Sequence, residues 1–522
     1  MDTEVIHTDV LVIGGGIAGS TAAIHLSRAG KNVVMVTMSP DPMDSNTGFA
    51  QGGIVARGPS DTAELLEKDI LEAGDGICNP DAVRLLAEAG PPLVQDFLIS
   101  DLGVQFSHSE SGRLDFTREA AHSRRRILHS TDATGWEIQE KLVQEVARRD
   151  ITLLSDHTAV DLLTLPHHST DPLGIYRPRV CVGGYVLDNP TGRVNTVIAR
   201  STILATGGLG RIFLHTTNPR GARGDGIAMA HRAGAEIINA EYVQFHPTAF
   251  YSRDSNKFLI SESVRGEGAR LKTVAGREFM KDYDTRGDLA PRDVVARAIH
   301  EEMVKSGDAF VVLDLASYAK FDIAARFPTI HRTCLAAGVD ITRDPIPVVP
   351  AAHYFCGGTK VDLWGATTLS GLYAAGEVSC TGLHGANRLA STSLLEGLVW
   401  GARAAEHILA HDPETPEVIG SDVKPWHDEG LLSESDPALV AQDWVTIRST
   451  MWNYAGIVRT ARRLTRAAAD LEYMTHRIEQ FYRERMLNDK IIGLRNGVEV
   501  ARLVVQAAAS NPVSRGCHFR RD

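Results

Sequence analysis

This sequence lacks the closely paired cysteines that an iron–sulfur cluster or a zinc ribbon needs. The six cysteines, Cys78, Cys181, Cys334, Cys356, Cys380 and Cys517, include no C-x-x-C pair. That scatter excludes an intrinsic iron–sulfur cluster or zinc ribbon and suits reduced thiols, so no metal is expected. Long apolar runs are missing too. The most apolar windows are rich in glycine or broken by charge, and none spans a bilayer, so no membrane partner is expected. There is no cationic excess, since 54 Lys and Arg face 65 Asp and Glu for a net charge of −11. That balance argues against a nucleic-acid partner or an anionic membrane surface. The opening MDTEVIHTD is acidic, so no secretory signal is expected and the expected location is the cytoplasm. No internal repeat is visible. What remains, 43% hydrophobic and 23% charged, is an ordinary soluble composition. At 522 residues it leaves room for two to four domains.

Against these absences stands one dense stretch, DVLVIGGGIAGSTAAIHLSRAGKNVVMVTM, from Asp9 to Met38. Residues 10–13 form a short apolar run of the kind a buried parallel strand needs. Gly14, Gly16 and Gly19 follow on the G-x-G-x-x-G spacing. The first permits a tight turn, the second a close approach of backbone to a pyrophosphate, and the third close packing of helix on strand. The helix expected over 17–29 aims its N-terminal amides and positive dipole end at that phosphate. Gly30 closes it, and residues 32–36 return as a parallel strand. Strand, turn, helix and strand in register point to a dinucleotide. The second strand ends in Thr37-Met38-Ser39 rather than in Asp or Glu. Either a hydroxyl serves the ribose or the ribose is held elsewhere, and the fingerprint alone does not choose between NAD and FAD.

Further along, Ser45-Asn46-Thr47-Gly48-Phe49-Ala50-Gln51-Gly52-Gly53 offers backbone amides and short polar side chains suited to wrapping a polar cofactor. Helices are expected over 62–73 and 81–98, with Pro80 starting the second and Pro91-Pro92 breaking it. Thr117 to His129 contains Glu119, His122 and the run Arg124-Arg125-Arg126, which reads as a solvated face. Glu119 and His122 lie there without clear period, where site residues tend to sit. Asp132-Ala133-Thr134-Gly135 leads into a helix over 136–149. Residues 152–205 are β-rich, with a turn at 189–192. Gly224-Asp225-Gly226 opens a helix to about 233. Polar types cluster over 241–350, which reads as a separate substrate-side domain. The dinucleotide pattern resumes at 371–377 and runs into a helix over 393–409. An acidic, proline-bearing linker follows over 411–437, then helical sequence to about 509.

Six motifs in one order carry a resemblance: S-N-T-G-F-A-Q-G-G-I, L-A-T-G-G, Q-F-H-P-T, R-G-E-G-A-R-L, L-A-P-R-D and G-E-V-S-C-T-G-L-H-G-A-N-R-L-A-S-T-S-L-L-E-G. Together they resemble the flavoprotein family of succinate dehydrogenase, fumarate reductase and L-aspartate oxidase. The likeness runs from about Thr8 to the S-R-G-C-H-F-R-R-D tail at 514–522. Within the family, T-R-E-A-A-H-S-R-R-R-I-L-H with D-A-T-G resembles the aspartate oxidase branch, because succinate dehydrogenase flavoproteins carry a glutamine- and glycine-rich segment there.

The resemblance implies an α/β fold in three parts. A Rossmann-like FAD-binding domain spans 1–239 and 355–415, an inserted α+β capping domain 240–354, and a C-terminal helical domain 416–522. The implied cofactor is FAD. With the fingerprint glycines Gly14, Gly16 and Gly19, its implied contacts are Gly15, Ile17, Ala18, Met38, the loop from Asn46 through Thr47, Gly48, Phe49, Ala50, Gln51 and Gly52 to Gly53, Asp225, Glu377, Ser393 and Leu394. Glu377 can accept from ribityl hydroxyls, and amides near Ser393 and Leu394 can stabilise negative charge on the reduced flavin. Many dehydrogenases of the family tether flavin through a His where this chain has Asn46. An amide cannot form that bond, so non-covalent FAD is implied.

The implied substrate positions are Gln244, His246, Ser261, Glu262, Arg292, His353, Tyr354 and Arg388. A four-carbon dicarboxylate needs cationic or donor partners when buried. Arg388 can bind one carboxylate through two parallel bonds, and His246 and His353 can donate to the other. Arg292 resembles the family's proton donor in fumarate reduction, acting as acid and electrostatic clamp. Glu119, in the branch segment, is the candidate partner of an α-ammonium group. Each has a bland alternative: His246 as an ordinary core histidine, Arg292 paired with Asp293, Glu119 paired with Arg118 or the Arg124–Arg126 run. The implied reaction is oxidation of L-aspartate to iminoaspartate, with oxygen or fumarate as acceptor, opening de novo NAD (quinolinate) biosynthesis. Iminoaspartate hydrolyses easily, so quinolinate synthase is the implied candidate partner by pathway logic. The alternatives are a soluble fumarate reductase or succinate dehydrogenase subunit, and a non-catalytic FAD scaffold.

Overall fold

In a computed structural model, residues 4–119, 121–130, 133–252, 258–411, 418, 420–427, 431 and 433–522 are described. Ala120 and Asp132 of the branch segment, the first three residues and parts of the 411–437 linker lie outside them.

The organising stretch folds as its pattern requires. Val5–Ile13 is a strand, Ile17–Arg28 a helix and Val33–Thr37 a second strand. The two strands pair in parallel, with Val10 opposite Val33 and Ile13 opposite Val36. Residues 10–13 and 33–37 are buried on both faces, as a doubly covered parallel sheet demands. The sheet grows outward from this pair. Ile151–Ser155 adds in parallel to Val33–Thr37, and Arg193–Leu204 adds in parallel to Val5–Ile13. The far edge of Arg193–Leu204 is shared. Its first half pairs antiparallel with Val180–Asp188, and its last residues pair in parallel with Leu372–Ala374. A segment some 170 residues downstream thus closes the sheet next to the first glycine turn. The chain then enters the helix Ser393–Ala410, whose Gly397 and Gly401 let it lie against Ile17–Arg28. A Cβ on Gly401 would stand 2.4 Å from the Ala18 carbonyl oxygen.

A second sheet, wholly antiparallel, runs in the order Val243–Phe250, Ile346–Phe355, Val311–Asp314, Arg270–Lys272. Between residues 250 and 348 it has its own core, in which Phe250, Phe279, Val295, Ile299 and Leu313 meet. The C-terminal helices Pro437–Ala455, Ala461–Glu484 and Asp489–Ser510 instead share the core of the parallel sheet. Ala461–Glu484 buries Leu464, Ala467, Leu471, Met474 and Ile478, a stripe at helical spacing, and leaves its charged face to solvent. The architecture is therefore the expected α/β assembly with an inserted α+β unit and a helical C-terminal part. Among the described residues, no helix is long and apolar enough to cross a membrane, and no group of three or more His, Cys, Asp or Glu could hold a metal ion.

Two expectations are corrected. Pro91 and Pro92 do not break their helix: Pro80–Leu93 runs through them and continues as a π-helical turn, Val94–Asp101. A proline at 91 deprives the Ala87 carbonyl of its N–H donor, and Arg57 Nη2 supplies one instead at 2.8 Å. The arginine run is not uniformly a solvated face either. Arg124 and Arg125 are exposed, but Arg126 is fully buried between Asp61 (2.8 Å) and Asp69 (2.6 Å). Two buried carboxylates require a buried cation, and the charge run hid one.

Candidate active site

One cleft of about 1950 Å³ of empty space, part of it open to solvent, runs from the glycine turn to the second sheet. Its lining joins the glycine turn, the 44–53 loop and the arginines and histidines of the substrate side in one continuous wall.

At its first end the wall is backbone. Gly14 sits at φ +117°, and a Cβ there would lie 2.1 Å from the Ala205 carbonyl oxygen. Gly19 likewise lets the helix seat on the turn, since its Cβ would be 2.0 Å from Gly14 O. The Ile17 amide at the helix start is taken by Thr47 Oγ1 at 3.0 Å, which ties the second glycine loop to the first. Asn46 Nδ2 donates to Glu377 at 2.9 Å, and Glu377 also accepts from the Phe355 amide at 2.9 Å. Burial pushes the Glu377 carboxyl up to about 7. Asp225 is held by Arg223 and by Asn496 of the last helix, both at 2.8 Å. The helix beginning at Ser393 carries no side-chain cap, and Ser393 and Leu394 at its start line the cleft, where the positive end of its dipole favours negative charge.

At the other end the wall is side chains. Gln244 Oε1 accepts from Arg388 at 3.1 and 3.2 Å, and from Arg292 at 3.5 Å. Its amide points that way because Nε2 donates to Asn387 (2.7 Å) and to Arg388 O (2.9 Å). Arg292 pairs with Glu262 at 2.6 Å, while Asp293 is taken by Arg297, so the Arg292–Asp293 alternative does not hold. Burial works against ionising Glu262, but Arg292 and Arg265 outweigh it and hold its carboxyl below the usual range. Among the described residues, Arg388 finds no carboxylate within ion-pair reach. It bonds Gln244 and Ser393 and lies 4.6 Å over the Tyr354 ring. Burial, then repulsion from Arg292, lowers its pKa. A buried guanidinium so placed calls for an anion.

His246 and His353 stand 5.3 Å apart, ring to ring. Burial and the neighbouring arginines hold both well below their ordinary pKa, so both are neutral donors. His246 Nδ1 accepts from the Thr248 amide at 3.2 Å, which leaves the proton on Nε2. His353 Nδ1 bonds Thr217 Oγ1 at 2.8 Å. Ser261 caps the short helix Glu262–Gly266 at the cleft wall.

Glu119 reaches this end from the branch segment, as its Oε2 accepts from Ser391 Oγ at 2.8 Å. It does not join the arginine run, because Arg126 is committed to Asp61 and Asp69. Burial raises its pKa against the opposing pull of Arg292.

The structure therefore brings nearly every proposed residue to one cleft. Gly19, Gly48 and Gln244 lie behind the wall, and Tyr354 shows only its ring. The Tyr354 hydroxyl turns away to Glu396 (2.8 Å) and His384 (3.1 Å). Thr37, at the end of the second strand, spends its hydroxyl on Ser39 O at 3.3 Å. Ser391 and Thr217 also line the cleft, while Asn387 holds Gln244 and Arg265 pairs with Glu262 from behind it, and only the fold shows which of these side chains turn inward.

The residues at the first end fit FAD. Asn46 Oδ1, Gln51 Oε1 and Thr206 Oγ1 are buried without a partner, and all three residues line the cleft. Buried polar atoms need partners, and a polar dinucleotide provides them.

Known protein families point to the same cofactor. Residues 9–394 match the FAD binding domain family, and residues 445–522 match the fumarate reductase flavoprotein C-terminal family. Among solved structures, a variant of the E. coli quinol fumarate reductase FrdA superposes with a TM-score of 0.88 at 26% identity, covering 99% of this chain and 92% of that one. Mycobacterium smegmatis Sdh1 in complex with UQ1 gives 0.80 at 29%, covering 99% and 89%. Fold and site thus define an FAD-binding flavoprotein of the succinate dehydrogenase and fumarate reductase class. L-aspartate oxidase 1 of Ralstonia nicotianae is 45% identical over 98% of this chain and 95% of its own length. L-aspartate oxidase of Pseudomonas aeruginosa is 43% identical over the same shares. The chain belongs to the L-aspartate oxidase family.

Proposed function

We propose that this chain oxidises L-aspartate to iminoaspartate, with oxygen or fumarate as electron acceptor, as the opening step of quinolinate and NAD biosynthesis. The observation that carries the reading is one buried carboxylate, Glu119, that lines the cleft and feels the charges of Arg292 and Arg388. Aspartate brings two carboxylates and an ammonium. Arg388, lacking a carboxylate of its own, takes one carboxylate, and His246 and His353 donate to the other as neutral groups. Arg292 clamps charge at the reacting carbon, held in place by Glu262. Glu119 receives the ammonium, which the arginines repel. Gly14–Ala18, Met38, the 46–53 loop, Asp225, Glu377 and the amides at Ser393 and Leu394 would hold FAD, which when bound would supply the acceptor for the Cα hydride as the amino group gives up a proton. Gln244 fixes the two arginines from behind rather than touching substrate.

The same reading divides the chain into an FAD-binding part over 1–239 and 355–415, a cap over 240–354 and a helical part over 416–522, and it takes FAD to be non-covalent. The unstable product makes quinolinate synthase the natural consumer. Anaerobic titration of the FAD-loaded protein tests the function. Aspartate should bleach the flavin absorbance and succinate should not. Bleaching by succinate alone would instead favour a succinate dehydrogenase.

A further inference from the structure

Glu119 is not held by the segment that carries it. Its Oε2 takes the proton of Ser391 Oγ at 2.8 Å, and the same Oγ accepts from the Gly53 amide at 3.3 Å. The Ser391 carbonyl accepts from the Val55 amide at 3.1 Å. A Cβ on Gly52 would stand 3.0 Å from Glu119 Oε1, so that glycine leaves the carboxylate its place. Two residues before the helix at Ser393, one serine thus joins the flavin loop, the branch segment and the substrate arginine's own loop. His122 strengthens the junction by donating from Nε2 to Ala390 O at 2.9 Å.

Ser391 does this at a conformational cost. Its φ is +58°, in the left-handed region where glycine is at ease and a Cβ is not. Strain of this kind persists where the surrounding structure or the function requires the side chain. Both hydrogen bonds of that side chain go to the site.

We propose that Ser391 is the positioning residue that holds Glu119 toward the substrate ammonium, and that the Ser391–Glu119 pair sets the preference for an amino acid over a plain dicarboxylate. Without the hydroxyl, the carboxylate is free to turn to Arg292, whose charge it already feels, and is then neutralised before the substrate arrives. A hydroxyl donor also favours the ionised carboxylate, opposing the burial that raises its pKa. The inference rests on the role given to Glu119 under Proposed function.

Ser391→Gly is the test, because glycine suits the backbone and removes only the hydroxymethyl group. The variant should fold, bind FAD and melt no lower than the parent. Its kcat/KM for aspartate should fall about tenfold, mainly through KM, as expected for one hydrogen bond to a charged group. Fumarate reduction should change less than about twofold, the outcome for a group that this ligand does not use. The acid limb of the aspartate profile should move to higher pH. In a Glu119→Gln background the same substitution should cost nothing further. Unchanged aspartate kinetics and pH profile in Ser391→Gly overturn the proposal, and so does an equal loss of both activities with loss of FAD. If Glu119→Gln alone leaves aspartate oxidation intact, the Glu119 reading itself falls.

Discussion

At the flavin end of the cleft the chain presents glycines and amides, whereas at the substrate end it presents two arginines, two glutamates and two histidines. The first end is local in sequence: Gly14 to Thr47 builds most of it, and its contacts are between backbones that tolerate no Cβ. The second is assembled from residues 119, 246, 262, 292, 353 and 388, which meet only when both sheets are in place. Close backbone approach gives affinity for a large cofactor with little discrimination in charge. Buried charges that lack a full set of partners give discrimination, because each unpaired group selects the substrate group that completes it. Substitutions at the two ends should therefore fail differently.

The largest effect belongs to the backbone end. Gly14→Val places side-chain atoms where a Cβ alone would already be 2.1 Å from a carbonyl oxygen, on a φ of +117°. The variant should yield protein without FAD, judged by flavin absorbance after gel filtration. Normal FAD content would show that the turn yields and that the comparison is overdrawn. Acid precipitation of the wild type bears on the same end. Yellow supernatant is expected, since Asn46 donates its amide to Glu377 and cannot form a covalent flavin link. Colour in the pellet would refute this.

Next comes Arg292. Loss of one preorganised charged donor lowers turnover by about a hundredfold or more. Arg292→Leu should keep FAD and turn over both aspartate and fumarate at least that much more slowly. It also leaves Glu262 buried beside Arg265 alone, so Tm should be read with the rate. Glu119→Gln is a smaller and more selective break. Losing the ammonium's partner should lower aspartate kcat/KM by about ten- to a hundredfold, the worth of a hydrogen bond to a charge. Fumarate reduction should hold or improve. In the wild type the same group predicts a pH dependence. Glu119 binds ammonium only when ionised, and burial raises its pKa. Aspartate kcat/KM should then fall as pH drops through a value above the ordinary carboxylate range. A profile flat down to that range would remove Glu119 from the site.

How far the sequence could be read follows the same division. The flavin end was legible from spacing, because a glycine turn between strand and helix is a local object. The first parallel strand pair and the helices at Ile17, Asp225 and Ser393 followed, while the inserted α+β unit came from the family resemblance and its antiparallel pairing from the structure. Readings failed where a distant residue decided the outcome. Arg57 rescues the carbonyl that Pro91 orphans, and Asp61 with Asp69 draws Arg126 out of a run that looked solvated. Ser391 sat inside a noticed motif, but a serine gives no sign in sequence that its φ will be positive or that its hydroxyl will meet residue 119.

Tyr354 is the finest test of the comparison, and the effect expected there is the smallest. Its position in the motif suggests a hydroxyl offered to the substrate. The structure turns that hydroxyl the other way, to Glu396, which also accepts from Thr381 (2.7 Å) and pairs with His384 (2.9 Å). The substrate side receives only the ring face, 4.6 Å beneath the Arg388 guanidinium. Tyr354 would then serve as a shelf that orients Arg388 through its π face, a contact worth about 0.5–2 kcal/mol. Tyr354→Phe keeps the shelf and removes one of three donors from a buried carboxylate. The loss should appear in stability, at about 1–2 kcal/mol, rather than in catalysis. Aspartate KM and kcat should each stay within about twofold, less than removal of a substrate hydrogen bond would cause. Tyr354→Leu removes the π face as well and should raise KM by several-fold, in keeping with that contact. A tenfold loss of kcat/KM in Tyr354→Phe at unchanged Tm would mean that the hydroxyl swings toward the substrate, and Tyr354 would belong with the binding groups.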